Sequence, residues 1–200
     1  IAAEGAAAPD GTHYHAGFGP PAAISAGREA IVAFSAHTDR GDGVFLYNGG
    51  TTRQMLSTGE RCRGGSVSYV STERPGLEPD GTVAMLASCS GTQAIFLVDD
   101  GGVRTIVRAQ QQADYPGQFS QLGGPQLSQS GTVVFGAIGS DQVDRLFAIS
   151  HTGRVRRLAP RELERFDRPV LGAAAEISHT VFAATLSVSQ SGTIAYLGGR

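Results

Sequence analysis

Three histidines and two aspartates are the residues whose types and spacing could do chemistry. His13 and His15 would lie on one face of a strand, but two imidazoles are too few for a closed zinc site. His37 precedes the stretch TDRGDG, in which Asp39 and Asp42, with backbone carbonyls, could supply the oxygen ligands that Ca²⁺ prefers. The same composition is typical of a solvated hairpin loop. The sequence favours the loop and leaves Asp39 and Asp42 as candidate calcium ligands.

Catalytic motifs are missing from the sequence. The stretch ASCSG, at residues 87–91, comes nearest to a nucleophile elbow, but Ala87 stands where the first Gly of G-x-S-x-G is needed. All 16 basic residues are Arg, which removes every mechanism that depends on Lys. The chain contains no P-loop, H-E-x-x-H motif or complete EF-hand loop. We therefore expect a protein that is not an enzyme and that binds no cofactor.

The two cysteines, Cys62 and Cys89, allow two interpretations. A single pair is compatible with one disulfide in an exported protein, and it is equally compatible with two buried thiols. The pair is not spaced as C-x-x-C and no histidines cluster near it, which argues against a metal site. The sequence leaves the disulfide and the two thiols open.

Charge and hydropathy exclude some classes of partner. The net charge of -2 gives no reason to expect a nucleic acid, and the Arg-rich residues 154–168 are interrupted by acidic residues as on a solvated face. No apolar run approaches the roughly 18 residues that span a bilayer. The first residue is Ile1, and we expect that the N-terminus has been trimmed.

The elements that must position these residues are short strands, which recur. The stretches AIVAF, GTVAM, GTVVF and GTIAY begin at Ala30, Gly81, Gly131 and Gly192. In the first three units a second apolar stretch follows, and its phenylalanines, residues 45, 96 and 147, are spaced by 51. Runs of this length, rich in Val, Ile, Phe and Tyr and bounded by Gly, Ser and Asp, indicate strands.

Four short strands in about 50 residues are typical of one blade of a β-propeller. The sequence therefore predicts an all-β chain, with a sandwich as the second choice. Residues 1–15 are predicted to be an N-terminal tail or linker, and residues 16–200 to be repeats. The predicted units are 16–65, 66–117, 118–170 and 171–200. Three are complete and the fourth supplies two strands, which favours a segment of a larger ring over closure by a second chain. The helix-like stretch PRELERF, at residues 160–166, is interpreted as an insertion.

Gly81, Gly131 and Gly192 are predicted to be structural turns rather than parts of a site. LSQSGTVVF, from Leu127, and VSQSGTIAY, from Val188, share Ser-Gln-Ser-Gly-Thr, whereas the second unit has Pro-Asp-Gly-Thr at the same place. A turn can be built with either set, because Gly takes positive φ and either Ser or Asp can bond the backbone. A site that grips a ligand through Ser and Gln would not tolerate this exchange.

These stretches resemble the S-x-D-G-x-x-[IVL]-[AV]-[FY] signature of the TolB-like (PD40, WD40-like) bacterial propellers. LEPDGTVAM, from Leu77 to Met85, is the closest form, and RLFAISHTGRVRRLAP is similar to the third and fourth strands of that family's repeat. The resemblance covers residues 16–200. It implies an extracytoplasmic scaffold that contacts a protein or a small ligand, at the periplasmic side, at the cell surface or after secretion.

Two functions from different classes follow. The first is a non-enzymatic, exported binding scaffold whose loops meet the partner at one end of the blades. The alternative is the non-catalytic sensor or gating propeller of a larger enzyme or receptor kinase. A lectin-like propeller is disfavoured, because the sequence has no Trp and only five Tyr.

Overall fold

The computed structural model describes residues 1–26, 29–110, 118–128, 130–149, 153–158, 186–188 and 194–196. All the regular secondary structure in these residues is β-strand. The strands are β1 (Ala22–Ala26), β2 (Glu29–Thr38), β3 (Gly41–Asn48), β4 (Thr51–Ser57), β5 (Arg61–Cys62), β6 (Gly65–Val70), β7 (Gly76–Leu77), β8 (Val83–Cys89), β9 (Thr92–Asp99), β10 (Gly102–Arg108), β11 (Phe119–Leu122), β12 (Gln126–Leu127), β13 (Val133–Gly139), β14 (Asp144–Ile149), β15 (Val155–Arg157), β16 (Leu186–Val188) and β17 (Ile194–Tyr196).

The strands form antiparallel sheets that follow one another along the chain. The first sheet has the order β1-β2-β3-β4. The second has the order β10-β9-β8-β6-β5 with β7 also on β8, and the third has the order β11-β13-β14-β15 with β12 also on β13. Strands β16 and β17 pair with each other. The prediction of an all-β chain is confirmed.

The first three sheets repeat one register, and the phenylalanine spacing marks it. Phe34 lies opposite Phe45 in the first sheet, Met85 opposite Phe96 in the second, and Phe135 opposite Phe147 in the third. Residues that face one another across antiparallel strands are the packing unit of a sheet. The recurrence of one pair therefore shows that each sheet places its core residues in the same way.

The second and third sheets differ from the predicted four strands per unit, because the first of the four is interrupted. We call this first strand the innermost strand of its sheet. In the second sheet β6 and β7 both pair with β8, and the connection between them contains Pro75. In the third sheet β11 and β12 both pair with β13, with Pro125 between them. Proline has no amide hydrogen for the ladder, so the strand breaks at this point. The short β5 adds a further strand to the second sheet.

Residues 1–15, which the sequence assigns to a tail or linker, also contact the first sheet. Tyr14 forms an isolated bridge with Thr38, at the position that Val67 and Phe119 occupy opposite Cys89 and Gly139. Tyr14, Val67 and Phe119 are all at least 97% buried. The interrupted innermost strand of the first sheet therefore begins before residue 16.

The sheets pack face to face, and each pair of neighbours encloses a core. The Phe96 face of the second sheet packs against Val44, Leu46 and Leu56 of the first. The opposite face of the second sheet, with Leu86 and Ile95, packs against the Phe135 and Phe147 face of the third. Burying one such phenylalanine side chain contributes about 2 to 3 kcal/mol, so these interfaces hold the sheets together.

The innermost strands are neighbours from one sheet to the next. Strand β7 contacts β1 on one side and β12 on the other, and β12 also contacts β16. The turn at Gly81 lies beside the turn at Gly131, whose amide donates to Glu78. This end of the sheets also carries the turns between the third and fourth strands, such as that before Gly102, because the strands alternate in direction.

Several predicted features lie outside the described residues, namely the turn at Gly192, the stretch 160–166 and most of the fourth unit. Among the residues that the structure describes, there is no helix long and apolar enough to cross a membrane.

Candidate binding groove

Two turns with different side chains share one pattern of backbone hydrogen bonds. In the second sheet the Glu78 amide donates to the Thr82 carbonyl (2.9 Å), and in the third the Ser128 amide donates to the Thr132 carbonyl (3.0 Å). Gly81 and Gly131 have φ of 87° and 73°, a conformation that glycine adopts without a Cβ clash. The Asp80 carboxylate accepts from the Thr82 amide (2.8 Å) in one turn. In the other, the Ser128 hydroxyl accepts from the Thr132 amide (3.2 Å).

Glu78 connects the two turns across the sheet interface. Its Oε1 accepts a hydrogen bond from the Gly131 amide of the next turn (2.8 Å). Burial raises the pKa of the Glu78 carboxyl and the nearby Asp80 charge adds to the rise, while the Gly131 amide acts in the opposite direction. Glu78 is thus a partly desolvated acid at the rim between two sheets.

A groove of about 400 Å³ opens between these turns, within the range of small-molecule sites. Its polar rim contains three carboxylates and one guanidinium. Its apolar walls come from strands β9, β10, β12, β13 and β14. The lining residues are Glu78, Asp80, Thr82, Leu97, Asp99, Arg104, Thr105, Ile106, Leu127, Gly131, Val133, Ile149 and Gly153.

The charges at the rim do not cancel. The Arg104 guanidinium donates to Asp99 Oδ2 (2.8 Å). Desolvation opposes ionisation of Asp99, but the Arg104 bond, its charge and neighbouring amides together lower the pKa of this carboxyl. Within the part of the chain that the structure describes, Glu78 and Asp80 have no such ion pair. The charged part of the groove is therefore acidic, beside apolar side chains.

The candidate calcium ligands Asp39 and Asp42 lie at the opposite end of the sheets, where they bond histidines. Asp39 Oδ1 is 2.7 Å from His15 Nε2, and Asp42 Oδ1 is 3.0 Å from His37 Nδ1. Among the described residues, no group of three or more His, Cys, Asp or Glu side chains is arranged to hold a metal ion. The contacts of Asp39 with His13 and His15 were not predicted, because these histidines lie 24 to 26 positions from Asp39 in the sequence.

Cys62 and Cys89 are joined in a disulfide with their Cα atoms 6.1 Å apart. The bond ties the short strand β5, which follows the first sheet, to the end of β8 in the second. The Arg108 guanidinium lies against the same bond, 3.5 Å from Cys89 Sγ. Of the two alternatives that the sequence left open, the structure has the disulfide.

Glu73 and Glu78 are two acidic residues that sequence reasoning did not single out. Glu73 lies in the connection between β6 and β7, which is two residues longer than the connection at Gly123–Pro125 in the third sheet. Burial raises the pKa of the Glu73 carboxyl, against the opposing effect of the Gly124 amide. The extra length of this connection was the only feature of the sequence that set Glu73 apart from other glutamates.

Comparison with known proteins identifies one family. A family model described as a family of unknown function, DUF7453, matches residues 1–198. The match includes the N-terminal residues as well as the repeated sheets. No curated protein matches the chain.

Proposed function

We propose that this chain, which belongs to the DUF7453 family, is a non-enzymatic binding scaffold built as TolB-like propeller blades and exported from the cytoplasm. The blade arrangement is supported by three features: one register repeated in three sheets, a shared direction of packing, and innermost strands that contact one another in chain order. The disulfide supports export, because such bonds persist in oxidising compartments.

The observation that carries the binding role is the groove between the second and third sheets. It is formed by turns of two sheets that Glu78 holds together through the Gly131 amide. Loops on a rigid sheet scaffold are where binding surfaces concentrate. Its lining combines five apolar side chains with six polar or charged ones, so the groove offers both an apolar surface and charged groups to a ligand.

The chemistry of the groove selects a cationic group with an apolar stem. Leu97, Ile106 and Val133 can pack along methylene groups, while Glu78 and Asp80 face a positive charge. The side chain of a Lys or Arg in a partner protein has both parts. An anionic ligand would meet the carboxylates of the rim and is not expected to bind.

Isothermal titration calorimetry with a trilysine amide and a triglutamate amide tests this role. We expect trilysine to bind and triglutamate not to bind. The double variant Glu78→Gln, Asp80→Asn should weaken trilysine binding about tenfold, since a charge-assisted hydrogen bond contributes about 1.5 kcal/mol.

The control is Glu60→Gln, which removes one carboxylate from the opposite end of the sheets and should leave the affinity unchanged. The proposal is wrong if trilysine does not bind, or if the double variant and the control bind it equally well.

A further inference from the structure

The interface between the first and second sheets carries an arginine at the same position as the interface that forms the groove. Arg53 on β4 lies opposite Leu46 on β3, and Arg104 on β10 lies opposite Leu97 on β9. The two arginines therefore occupy the same register position, one in the first sheet and one in the second. The two interfaces can be compared residue by residue.

At the first interface the arginine crosses to the second sheet. The Arg53 guanidinium donates to the Asp100 carboxylate, in the turn between β9 and β10. A Cβ at Gly81 would lie 3.6 Å from Arg53 Nη2 and 3.1 Å from Leu46 Cδ2, so both side chains lie against the turn before β8. An arginine side chain thus occupies the space beside this turn, with its charge on a carboxylate of the next sheet.

At the second interface the corresponding arginine does not cross. Arg104 Nη2 donates to Asp99 Oδ2 (2.8 Å), a residue of its own hairpin. Among the described residues, the only atom within 4 Å of a Cβ at Gly131 would be Glu78 Oε1, at 3.9 Å. The groove therefore lies where the first interface holds an arginine side chain.

We propose that the groove accepts an arginine side chain of a partner protein in preference to a lysine side chain, in the place that corresponds to that of Arg53. This inference rests on the binding role proposed above and narrows its ligand. Glu78 and Asp80 supply the negative charge that Asp100 supplies at the first interface. Apolar side chains of the groove, such as Leu97, can pack along the arginine methylene groups as well as along those of lysine.

The Glu78 carboxylate is better suited to a guanidinium than to an ammonium group. Its Oε1 accepts a hydrogen bond from the Gly131 amide (2.8 Å), which holds the carboxylate in place. Within the residues that the structure describes, hydrogen bonds to this carboxylate are confined to Oε1. A planar guanidinium donates two parallel hydrogen bonds to the two oxygens of one carboxylate, whereas an ammonium acts as a point charge. Arginine therefore gains a directed hydrogen bond that lysine lacks.

Isothermal titration calorimetry with triarginine amide and trilysine amide tests the preference, because the two peptides carry the same charge. We expect triarginine to bind about fivefold more tightly, the effect of one added charge-assisted hydrogen bond at a half-buried carboxylate. Equal affinities, or tighter binding of trilysine, would overturn this inference and leave the proposed binding role intact. If neither peptide binds, the binding role is wrong and the preference with it.

Glu78→Asp separates the geometry of the pair from its charge. The variant keeps the negative charge, but its shorter side chain withdraws the carboxylate from the Gly131 amide. We expect the ratio of the two affinities to fall to about one, with the trilysine affinity nearly unchanged, because only the paired hydrogen bonds depend on this geometry.

The matched control is Glu60→Asp at the opposite end of the sheets, where the Glu60 carboxylate also accepts from a backbone amide, that of Ser57 (3.1 Å). This variant should keep the preference for triarginine. A preference that persists unchanged in Glu78→Asp would overturn the inference. If urea unfolding shows that Glu78→Asp has lost its fold, Glu78→Gln takes its place, with the same expected loss of preference.

Discussion

Glu73 is an acidic residue whose surroundings oppose its ionisation. Burial raises the pKa of this carboxyl group against the opposing effect of the Gly124 amide, and its Oε2 is buried with no hydrogen-bond partner among the described residues. A Cβ at position 124 would lie within 2.3 Å of this oxygen, so the carboxyl group would have to move if the residue were not glycine. A buried acceptor without a partner lowers stability by about 1 to 3 kcal/mol.

Glu73→Gln is therefore expected to stabilise the chain at neutral and alkaline pH. Burial places the pKa of Glu73 above its unfolded value, so the wild-type chain loses stability as the pH rises from the unfolded pKa through the folded one. Gln does not ionise and escapes this loss. We expect a gain of about 0.5 to 1 kcal/mol at pH 8, discounted for partial exposure, and no gain at pH 4 in urea unfolding.

Glu4→Gln, at an exposed position, is the control for Glu73→Gln and should change stability at neither pH. A difference between wild type and Glu73→Gln that is the same at pH 4 and pH 8 would contradict this account of Glu73.

At the residue scale, the sequence predicted where the turns lie but not the environments of the acidic residues. It placed Gly81 and Gly131 in hairpin turns, because Gly beside Asp or Ser is a local signal of turn conformation. It could not separate Glu73 and Glu78 from solvated glutamates, because their environment comes from the neighbouring sheet. The histidine contacts of Asp39 were hidden because the partners lie 24 to 26 positions away in the sequence.

At the scale of the elements, Gly76 lets two innermost strands approach closely. A Cβ at this position would lie 2.8 Å from the Leu127 amide nitrogen and 2.9 Å from the Leu127 Cβ. The first neighbour is backbone of β12, which cannot move without shifting its pairing with β13. The packing of β7 on β12 thus depends on the missing side chain.

Gly76→Ala is expected to lower the free energy of unfolding by about 2 kcal/mol, in the range for overpacking a well-packed interior. Gly101→Ala is the control, because its Cβ would meet only the flexible Asp99 carboxylate, and it should cost less than 0.5 kcal/mol by the same scale, about that of a surface substitution. Equal effects of the two changes in urea unfolding would show that β7 and β12 do not rely on this approach.

The repeated phenylalanines were enough to predict the paired second and third strands of each sheet, because their period is written into the chain. The interruption of the innermost strand was not predicted. Pro75 and Pro125 were visible in the sequence, but whether a proline ends a strand or breaks one in two depends on the partner strand. The same limit hid the pairing of Tyr14 with Thr38 and left residues 1–15 as a predicted tail.

At the scale of the whole molecule, the groove and the disulfide lie at opposite ends of the second sheet. The groove is at the turn that precedes β8, and the disulfide is at the end of β8, near the end that carries Asp39. Seven residues of β8 separate them, about 20 Å of extended chain. A residue changed at the disulfide therefore does not contact the groove directly.

Loss of the disulfide is expected to lower the stability of the whole chain and leave the groove functional. The bond closes a loop between residues 27 positions apart, which corresponds to about 3.5 kcal/mol of unfolded-state entropy. Cys62→Ala with Cys89→Ala should therefore reduce the free energy of unfolding by about 3 kcal/mol in urea, with trilysine affinity retained at 20 °C. A reducing agent should lower the stability of the wild-type chain by the same amount and leave the double variant unaffected. A double variant as stable as wild type would show that the bond does not stabilise the second sheet. Loss of trilysine binding in a folded variant would show that the two ends of the sheets are coupled.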